Sequence, residues 1–465
     1  MNRPYLNNID PNKRPGGDVY EEIKHDKFML IYLLFCFAIY SLWSLITPFN
    51  GSPDEYMRWD LLKYMTEHWA LPHVDEPTIR NQLWGFSYAS LPYISQILGA
   101  LFFRIARYFA LSPHALLYAA RLPSVLFSVG TVFFTYKIGQ KLFSEKAARL
   151  LTIMVSMWPE YAMIASYINN DSFALFTVSI ITYSWICGIQ SNWNWRSCIL
   201  LAVGVGLCLL SYYIAFGFIL LSAILWFWSV LSRQENREAS KPFLKKAVFM
   251  LVIVIGIAGW WYIRNAYIYN GDFLGLNTMY ALGEKYAIEE LKPSNRNTYL
   301  NHGKSVVDML RETPWVRVTL KSSIAVFGYM DIEVNSKVYE FYAVLVAIGI
   351  IGAAARAVKW ICCRKKQDKL DTFYAFIILS IPIPVILSII HSYSTDFQPQ
   401  GRYFLQMLIS LCILITNGIF YIKECFPKAE KLGGFVTIME MLIFLAHAAC
   451  FYTVYTKFHH MCVAF

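Results

Sequence analysis

The run FMLIYLLFCFAIYSLWSLI occupies residues 28–46, and TPFNGSPDE follows it at residues 47–55. The first stretch carries no charged side chain and is about as long as a helix that crosses the hydrocarbon core of a bilayer. The second stretch ends in an adjacent acidic pair, Asp54 and Glu55, where the chain leaves this predicted span. The two together predict a membrane protein that presents a pair of carboxylates at one membrane face.

The rest of the chain repeats the apolar pattern. Of its 465 residues, 57% are hydrophobic and only 15% are charged, whereas a soluble chain carries about 25% charged residues. Apolar runs of about 20 residues recur along the whole length, so the predicted fold class is all-α, a polytopic helical membrane protein. The net charge of +10 comes mostly from short loops, where basic residues set the topology, and does not indicate nucleic-acid binding.

The apolar runs predict about eleven transmembrane helices. They lie at 28–47, 118–138, 148–166, 171–190, 197–211, 213–231, 247–268, 337–357, 372–391, 402–421 and 436–457. A further stretch, 88–110, is ambiguous. As a span it would place the basic clusters near 141–149, 241–246, 364–366 and 423–431 outside, whereas as an interfacial helix it leaves them all in the cytoplasm. We therefore predict an N-in, C-out topology with interfacial helices in the first outer loop.

This topology divides the chain into four parts. Residues 1–27 form a cytoplasmic N-terminal segment, 28–268 a membrane module that includes the first outer loop at 48–117, 269–336 a second long outer loop, and 337–465 the C-terminal transmembrane helices. Neither long loop contains a cysteine, so we expect no disulfide framework and no thiolate metal site there. The two outer loops are expected to form the working face.

The acidic pair has a structural and a functional interpretation. Ser52 suits a helix cap, Pro53 the first helical position, and Glu55 is spaced to close a capping box. Capping and function explain Glu55 about equally well, but capping explains Asp54 less well. We assign Asp54 the role of general base, with a pKa raised by its position near the membrane.

Two more acidic residues lie near the same face. Asp171 follows Asn169 and Asn170 in a short outer turn, which is also an ordinary way to cap the next helix. Glu160 lies within a predicted span, where a carboxylate costs roughly 2–3 kcal/mol on insertion scales, so it is expected to face a site rather than lipid. Pro159, just before it, predicts a bend in that helix.

Basic residues also occur on the predicted outer side, although Lys and Arg in membrane proteins are usually more frequent in cytoplasmic loops. Arg121, Arg264 and Arg402 lie in the outer turns of spans, and Arg58 follows the acidic pair. Any one of them could extend to the lipid headgroups. As a group they suggest a bound phosphate, which the planar guanidinium fork suits well. The sequence contains no H-E-x-x-H, G-x-S-x-G or glycine-rich phosphate loop, so peptidase, acyl-hydrolase and nucleotide-driven functions lack their main supports.

The order of these motifs resembles the GT-C superfamily of integral-membrane glycosyltransferases, which includes the protein O-mannosyltransferases and the aminoarabinose transferase of lipid A. The strings that carry the resemblance are Asp54-Glu55, Arg121-Leu122-Pro123-Ser124, Asn169-Asn170-Asp171 and Gln400-Gly401-Arg402-Tyr403. It is best in the first half, and the HPP-like string of the mannosyltransferases is only Leu91-Pro92 here. The resemblance implies Asp54 as catalytic base beside Glu55, Asp171 as the acidic residue of a second outer loop, and Arg121, Arg264 and Arg402 on a carrier phosphate.

These observations predict an inverting glycosyltransferase at the outer face of a bacterial plasma membrane. Its donor would be a polyprenyl-phosphate-linked sugar, and its acceptor a hydroxyl of a cell-wall polymer, lipid or protein. The substrate-binding candidates are Arg58, Arg121, Glu160, Arg264, Gln400 and Arg402. Membrane lipids are expected partners, no cofactor is certain, and a divalent metal stays an open alternative. Two other functions also stay open: a transporter or flippase of a lipid-linked saccharide, with Glu440 and His447 inside the last span, and a non-catalytic scaffold that binds a sugar lipid.

Overall fold

The computed structural model describes residues 27–231, 240–363, 369–426 and 434–459. Eight helical stretches in this part are long and apolar enough to cross a membrane. They are Lys27–Ile46, Pro113–Leu142, Asp171–Ser191, Phe243–Ile268, Ser336–Cys362, Leu370–Ser394, Gly401–Cys425 and Phe435–Phe458. Each coincides with a predicted span, which supports a multi-pass membrane protein. The total of eleven, the N-in, C-out topology and the four-part division stay predictions, and the segment 1–26 and the basic residues at 364–366 and 428–431 lie outside the described residues.

We number the α-helices in chain order. They are α1 Lys27–Ile46, α2 Glu55–His68, α3 Ile94–Tyr108, α4 Pro113–Leu142, α5 Glu145–Ser156, α6 Pro159–Ile164, α7 Asp171–Ser191, α8 Trp195–Leu209, α9 Gly217–Leu231, α10 Ser240–Val254, α11 Trp260–Ile268, α12 Leu276–Tyr286, α13 Val306–Glu312, α14 Trp315–Ala325, α15 Ser336–Cys362, α16 Lys369–Ser380, α17 Pro382–Ser394, α18 Leu408–Cys425 and α19 Phe435–Phe458. A π-turn, Ile255–Gly259, joins α10 to α11, and a 3₁₀ segment, Gly401–Met407, precedes α18. Two short strands, β1 Val326–Phe327 and β2 Ile332–Glu333, pair antiparallel and are a small departure from the all-α prediction.

The third predicted span, 148–166, is not one helix. It breaks before Pro159 into α5 and α6, as the proline predicts, because a proline has no N–H to continue the helical ladder. The freed carbonyls are bonded by side chains of other helices. Tyr40 donates to the Ser156 carbonyl at 2.9 Å, Tyr342 donates to the Met157 carbonyl at 3.3 Å, and His447 Nδ1 lies 3.1 Å from the same oxygen. The break is therefore a packed junction inside the bundle.

Helix α7 lies at the centre of the bundle and α10–α11 at its edge. In the most apolar 18 residues of Asp171–Ser191, 83% of the residues are buried, whereas in those of Phe243–Ile268 only 6% are. Helix α7 packs against α4 and α8, and α15 packs closely against α18. A Cβ added to Gly418 would lie 1.8 Å from the Gly349 carbonyl oxygen, so glycine is needed where these two backbones touch. Asp171, the first residue of α7, is itself buried inside the protein.

The segment between α1 and α4, predicted to be the first outer loop, packs against the helices of the bundle. Helix α2 agrees with the helix expected after Pro53, but the predicted interfacial helix at 88–110 is shorter than expected. It contains a 3₁₀ turn at Tyr88–Ser90 and then α3, Ile94–Tyr108. Helix α2 packs on α3 and α3 on α4, and a second hydrophobic cluster fills the space between them. This packing fixes the acidic end of α2 against the bundle.

Candidate active site

The capping interpretation of the acidic pair is wrong. Asp54, not Ser52, is the N-cap residue of α2, and its side chain makes no capping hydrogen bond. Asp54 has a left-handed backbone conformation with φ of 67°, and Asn50 has φ of 56°. Such conformations are uncommon outside glycine, although Asn and Asp adopt them more readily than other residues. This tight turn points the two adjacent carboxylates in different directions.

Glu55 points into the protein and binds Arg121. Glu55 is 0% exposed and Arg121 1% exposed, and Arg121 Nε and Nη2 donate to the two Glu55 oxygens at 2.8 Å each. The backbone N–H groups of Asn50 and Ile168 also donate to this carboxylate, at 2.9 and 3.1 Å. Tertiary contacts have replaced the local capping box predicted for Glu55.

The remaining N–H groups of Arg121 are also used. Nη1 donates to the carbonyls of Ser44 and Thr47 at 2.7 Å, and Nη2 donates to the Pro48 carbonyl at 3.0 Å. All five donors of the guanidinium therefore have protein acceptors. In this arrangement Arg121 has no donor left for a carrier phosphate, and we treat it below as a residue that fixes the turn before α2.

Asp54 points toward Arg402 instead. Arg402 Nη2 donates to Asp54 Oδ2 at 2.7 Å, and the Tyr88 hydroxyl donates to Asp54 Oδ1 at 3.1 Å. Burial raises the pKa of Asp54, but the charges of Arg402 and Arg58 and these hydrogen bonds outweigh it, and the net pKa lies below the ordinary value. The raised pKa expected from the sequence is therefore wrong, because that expectation included no arginine partner. Asp54 is ionised at neutral pH.

Arg58 completes this part of the site. It is 4% exposed, and its guanidinium carbon lies 4.9 Å from the centre of the Tyr88 ring, in a cation–π arrangement. Its Nη1 is buried without a hydrogen-bond partner. Arg58 therefore has an N–H group available for a ligand next to Asp54.

Asp171 and Glu160 approach the same arginines. Asp171 is 2% exposed and interacts electrostatically with Arg402, Arg58 and Asp54. Glu160 is 7% exposed and interacts with Arg402 and Asp171. One oxygen of each carboxylate has no partner, and the same holds for Arg402 Nε. Buried polar atoms normally have partners, so these atoms mark a place where a polar ligand or water belongs.

We call these five residues the Asp54 cluster: Asp54, Arg58, Glu160, Asp171 and Arg402. Gln400 adjoins it, because Gln400, Glu160 and Arg402 line one small cavity of about 20 Å³, and Gln400 Oε1 also lacks a partner. Arg264 does not join it in the described contacts. Its Nη2 donates to the Pro72 carbonyl at 2.8 Å, and its guanidinium carbon lies 5.4 Å from the centre of the Trp261 ring.

Several residues of this site were not predicted from the sequence. Tyr88 binds Asp54, and Tyr403 accepts a hydrogen bond from Arg402 Nη2 at 3.1 Å. The Tyr329 hydroxyl, in the β1–β2 turn, donates to Asn50 Oδ1 at 2.9 Å and so covers the acidic turn. Tyrosines at membrane interfaces are common anchors, and no spacing in the sequence separates these three from the others.

A larger cavity lies on the other side of the acidic turn. Its volume is about 560 Å³, and it lies between the ends of α1, α4 and α19 and the β1–β2 turn. Arg121 and Gly328 are among its lining residues, and Gly328 also lines the small cavity. In the part of the chain that the structure describes, no group of three or more His, Cys, Asp or Glu residues is placed to hold a metal ion.

Comparison with known proteins agrees with the resemblance seen in the motifs. Residues 99–260 match the family model described as dolichyl-phosphate-mannose-protein mannosyltransferase. The fold is similar to the apo oligosaccharyltransferase of Archaeoglobus fulgidus (TM-score 0.54, 13% identity, 94% of this chain and 56% of that one). It is also similar to AglB of the same organism in complex with an inhibitory peptide and a dolichol-phosphate (TM-score 0.53, 13% identity, 95% and 56%).

A third similar structure is apo ArnT from Cupriavidus metallidurans, with a TM-score of 0.50 and 12% identity over 93% of this chain and 75% of that one. No curated protein gives a significant sequence match. The chain spans only 56% of the length of the oligosaccharyltransferase, and at these identities the structural matches show the fold alone. The chain therefore has the fold of the GT-C integral-membrane glycosyltransferases and matches a mannosyltransferase family model over residues 99–260.

Proposed function

We propose that the chain transfers a sugar from a polyprenyl-phosphate carrier to an acceptor hydroxyl at the extracytoplasmic face of the membrane. The observation that carries the proposal is the Asp54 cluster. Five ionisable residues, from positions as far apart as 54 and 402, converge at the ends of the helices in a GT-C fold, and four of them have unpartnered buried polar atoms. Buried ionisable groups with unpartnered atoms are typical of functional sites.

Asp54 has the properties of a general base in this proposal. Its ionised carboxylate takes the proton of the acceptor hydroxyl as the acceptor oxygen forms a bond to the anomeric carbon of the sugar. The bond from that carbon to the carrier phosphate oxygen breaks, and the phosphate leaves with the electron pair. Attack opposite to the leaving group inverts the anomeric centre, and holding two membrane-bound substrates together supplies part of the rate.

The arginines of the cluster would stabilise the leaving phosphate. Arg402 Nε and Arg58 Nη1 are buried donors without partners, and donors fixed in advance at a developing charge lower the barrier. Glu160, Asp171 and Gln400 each contribute an unpartnered acceptor oxygen, which suits the hydroxyl groups of the sugar. The Glu55–Arg121 pair would act indirectly, because it fixes the turn that presents Asp54.

The transporter alternative gains no support from the buried histidine that suggested it. His447 Nε2 accepts a hydrogen bond from Trp43 Nε1 at 3.0 Å, and Nδ1 lies 3.1 Å from the Met157 carbonyl. Both ring nitrogens of this neutral imidazole are therefore used in packing helices together.

The test is sugar transfer by the purified chain in proteoliposomes that contain radiolabelled polyprenyl-phosphate sugars and candidate acceptors. We expect Asp54→Asn to lower the transfer rate by roughly 10²–10⁴-fold, the usual contribution of a general base. Asp60→Asn, on the same helix, is the matched control and should transfer normally. Transfer at the wild-type rate by Asp54→Asn would refute the base assignment, and movement of labelled lipid between leaflets without transfer would favour the transporter.

A further inference from the structure

We propose that Asp54 and the carrier phosphate compete for the same edge of Arg402, so that phosphate binding releases the base from its ion pair. The inference rests on the function proposed above and adds a regulatory step to it. It would mean that Asp54 is held by Arg402 in the free protein and becomes available when a donor is bound.

The two buried arginines show how this edge is used. Arg121 binds Glu55 through Nε and Nη2 together, with one N–H to each carboxylate oxygen at 2.8 Å. Arg402 presents the same edge, but only Nη2 donates to Asp54, at 2.7 Å, and Nε is buried without a partner. Bidentate pairing is the strongest geometry available to arginine with a carboxylate or phosphate. On this edge of Arg402, Nη2 is therefore paired with a carboxylate and Nε is not.

A phosphate that binds both nitrogens of this edge must break one of the hydrogen bonds of Nη2. Nη2 donates to Asp54 Oδ2 at 2.7 Å and to the Tyr403 hydroxyl at 3.1 Å, so both of its N–H groups are occupied. Asp54 is the partner that a phosphate would displace, because two anions on one guanidinium edge repel each other and the neutral Tyr403 hydroxyl does not repel the phosphate. Binding through Nε alone would leave Asp54 in place but would lack the second hydrogen bond.

The backbone of Arg402 has little freedom to move away. The Gly401 N–H donates to Ser322 Oγ at 2.6 Å, and a Cβ on Gly401 would lie 1.9 Å from the Ser323 nitrogen. Arg402 itself is 6% exposed. Asp54, in contrast, is the N-cap residue of α2, and 27% of its side chain is exposed. Asp54 is thus the partner that can leave.

The charges of the cluster favour a phosphate that displaces Asp54 from Arg402 over a phosphate that binds beside an intact Asp54–Arg402 pair. Asp54 and Asp171 both interact with the two guanidiniums of the cluster, so neither guanidinium is left without a carboxylate for an added phosphate to pair with. Displacing Asp54 from Arg402 gives the phosphate its best counter-charge and moves one carboxylate away from it. Tyr88 would still hold Asp54 Oδ1, so the released carboxylate would keep its orientation.

The test is binding of farnesyl phosphate to the full chain in nanodiscs, measured for single variants and for a double-mutant cycle. We expect Asp54→Asn to tighten binding by about tenfold, a typical size for coupling between two ligands of one site. Arg402→Gln should weaken binding, and in that background Asp54→Asn should give much less gain. Asp171→Asn removes an equal charge without a direct Arg402 hydrogen bond, and it measures the purely electrostatic part.

The outcomes separate this inference from the proposed function. One outcome refutes competition for Arg402 while the phosphate site stands. In it, farnesyl phosphate binds the wild type and Arg402→Gln weakens that binding, but Asp54→Asn increases the affinity no more than Asp171→Asn does. If Arg402→Gln leaves binding unchanged, the phosphate site itself is wrong and the proposed function fails with it. Arg402→Lys, which keeps the charge but not the fork, supplies a second variant if Arg402→Gln does not fold.

Discussion

Arg121→Leu should strongly destabilise the protein, because Arg121 joins the first helix, the acidic turn and α4 through one buried group. The substitution leaves the Glu55 carboxylate 0% exposed with only two backbone N–H donors. It also removes the donor from the carbonyls of Ser44, Thr47 and Pro48. The main effect is therefore an unpaired buried charge rather than lost packing.

Removing one partner of a buried ion pair costs about 3–5 kcal/mol of unfolding free energy. The three carbonyls add less than their full desolvation penalty, because Ser44, Thr47 and Pro48 line the 560 Å³ cavity, and water in that cavity can bond to them. We therefore expect a loss of about 3–5 kcal/mol for Arg121→Leu, and a similar loss for Glu55→Gln, which leaves the guanidinium without a counter-charge. The double variant Glu55→Leu with Arg121→Leu should lose at least about 2 kcal/mol less than the sum of the single losses.

The measurement is unfolding in mixed micelles, followed by tryptophan fluorescence during denaturant titration. Arg107→Leu, which removes an exposed arginine from α3, is the matched control and should stay close to wild type. Arg121→Lys keeps the charge but has three donors instead of five, so its stability should lie between those of wild type and Arg121→Leu.

The phosphate role predicted from the sequence makes the opposite prediction. If Arg121→Leu unfolds like the wild type but no longer binds farnesyl phosphate, the structural assignment of Arg121 is wrong. Additive losses in the double variant would likewise show that Glu55 and Arg121 do not stabilise the protein as a pair.

Two further predictions concern the base and the helix interface. The pKa of Asp54 in the free protein lies below its ordinary value of 3.8, so its carboxylate is ionised at higher pH, and kcat/KM for transfer, which reports the free protein, should fall only as pH drops through that low pKa. Tyr88→Phe removes a hydrogen bond to the ionised form, which should move the acid limb of the pH–rate profile upward by about one unit; an unmoved limb would show that Tyr88 does not hold the base. Gly418→Ala should destabilise the α15–α18 contact by about 1–3 kcal/mol through overpacking, measured as a lower unfolding temperature. Gly256→Ala, where an added Cβ meets nothing within 4 Å, is the control, and equal effects at both positions would contradict the packing argument.

Much of the architecture could be predicted from the sequence, because membrane spans are encoded locally as apolar runs. The same logic identified Arg402 and Glu160, since charged residues near span ends are unusual and stand out. Asp54 was selected for another reason, because it forms an acidic pair with Glu55 directly after the first span and helix capping explains it less well. Only Arg402 and Glu160 violate a local rule for their position in the chain.

The pairing of these residues could not be predicted, because it depends on contacts between distant segments. Glu55 and Arg121 are 66 positions apart, and Asp54 and Arg402 are 348 apart. The spacing of Ser52 and Glu55 satisfied a local capping rule, but a buried guanidinium is a stronger partner for the carboxylate than a backbone N–H. The pKa of Asp54 followed the same pattern, since its direction is set by Arg402 and Arg58 rather than by the membrane.

The break before Pro159 has a consequence for how the chain assembles during synthesis. In lipid, an unbonded carbonyl costs several kcal/mol. The Ser156 carbonyl finds Tyr40, which is already in the membrane when α6 is made. The Met157 carbonyl must wait for Tyr342 and His447, which are translated 185 and 290 residues later. We therefore expect the break before Pro159 to reach its full set of hydrogen bonds only when the last helix inserts, so that a chain truncated before α19 should insert but unfold at a lower temperature than the full chain.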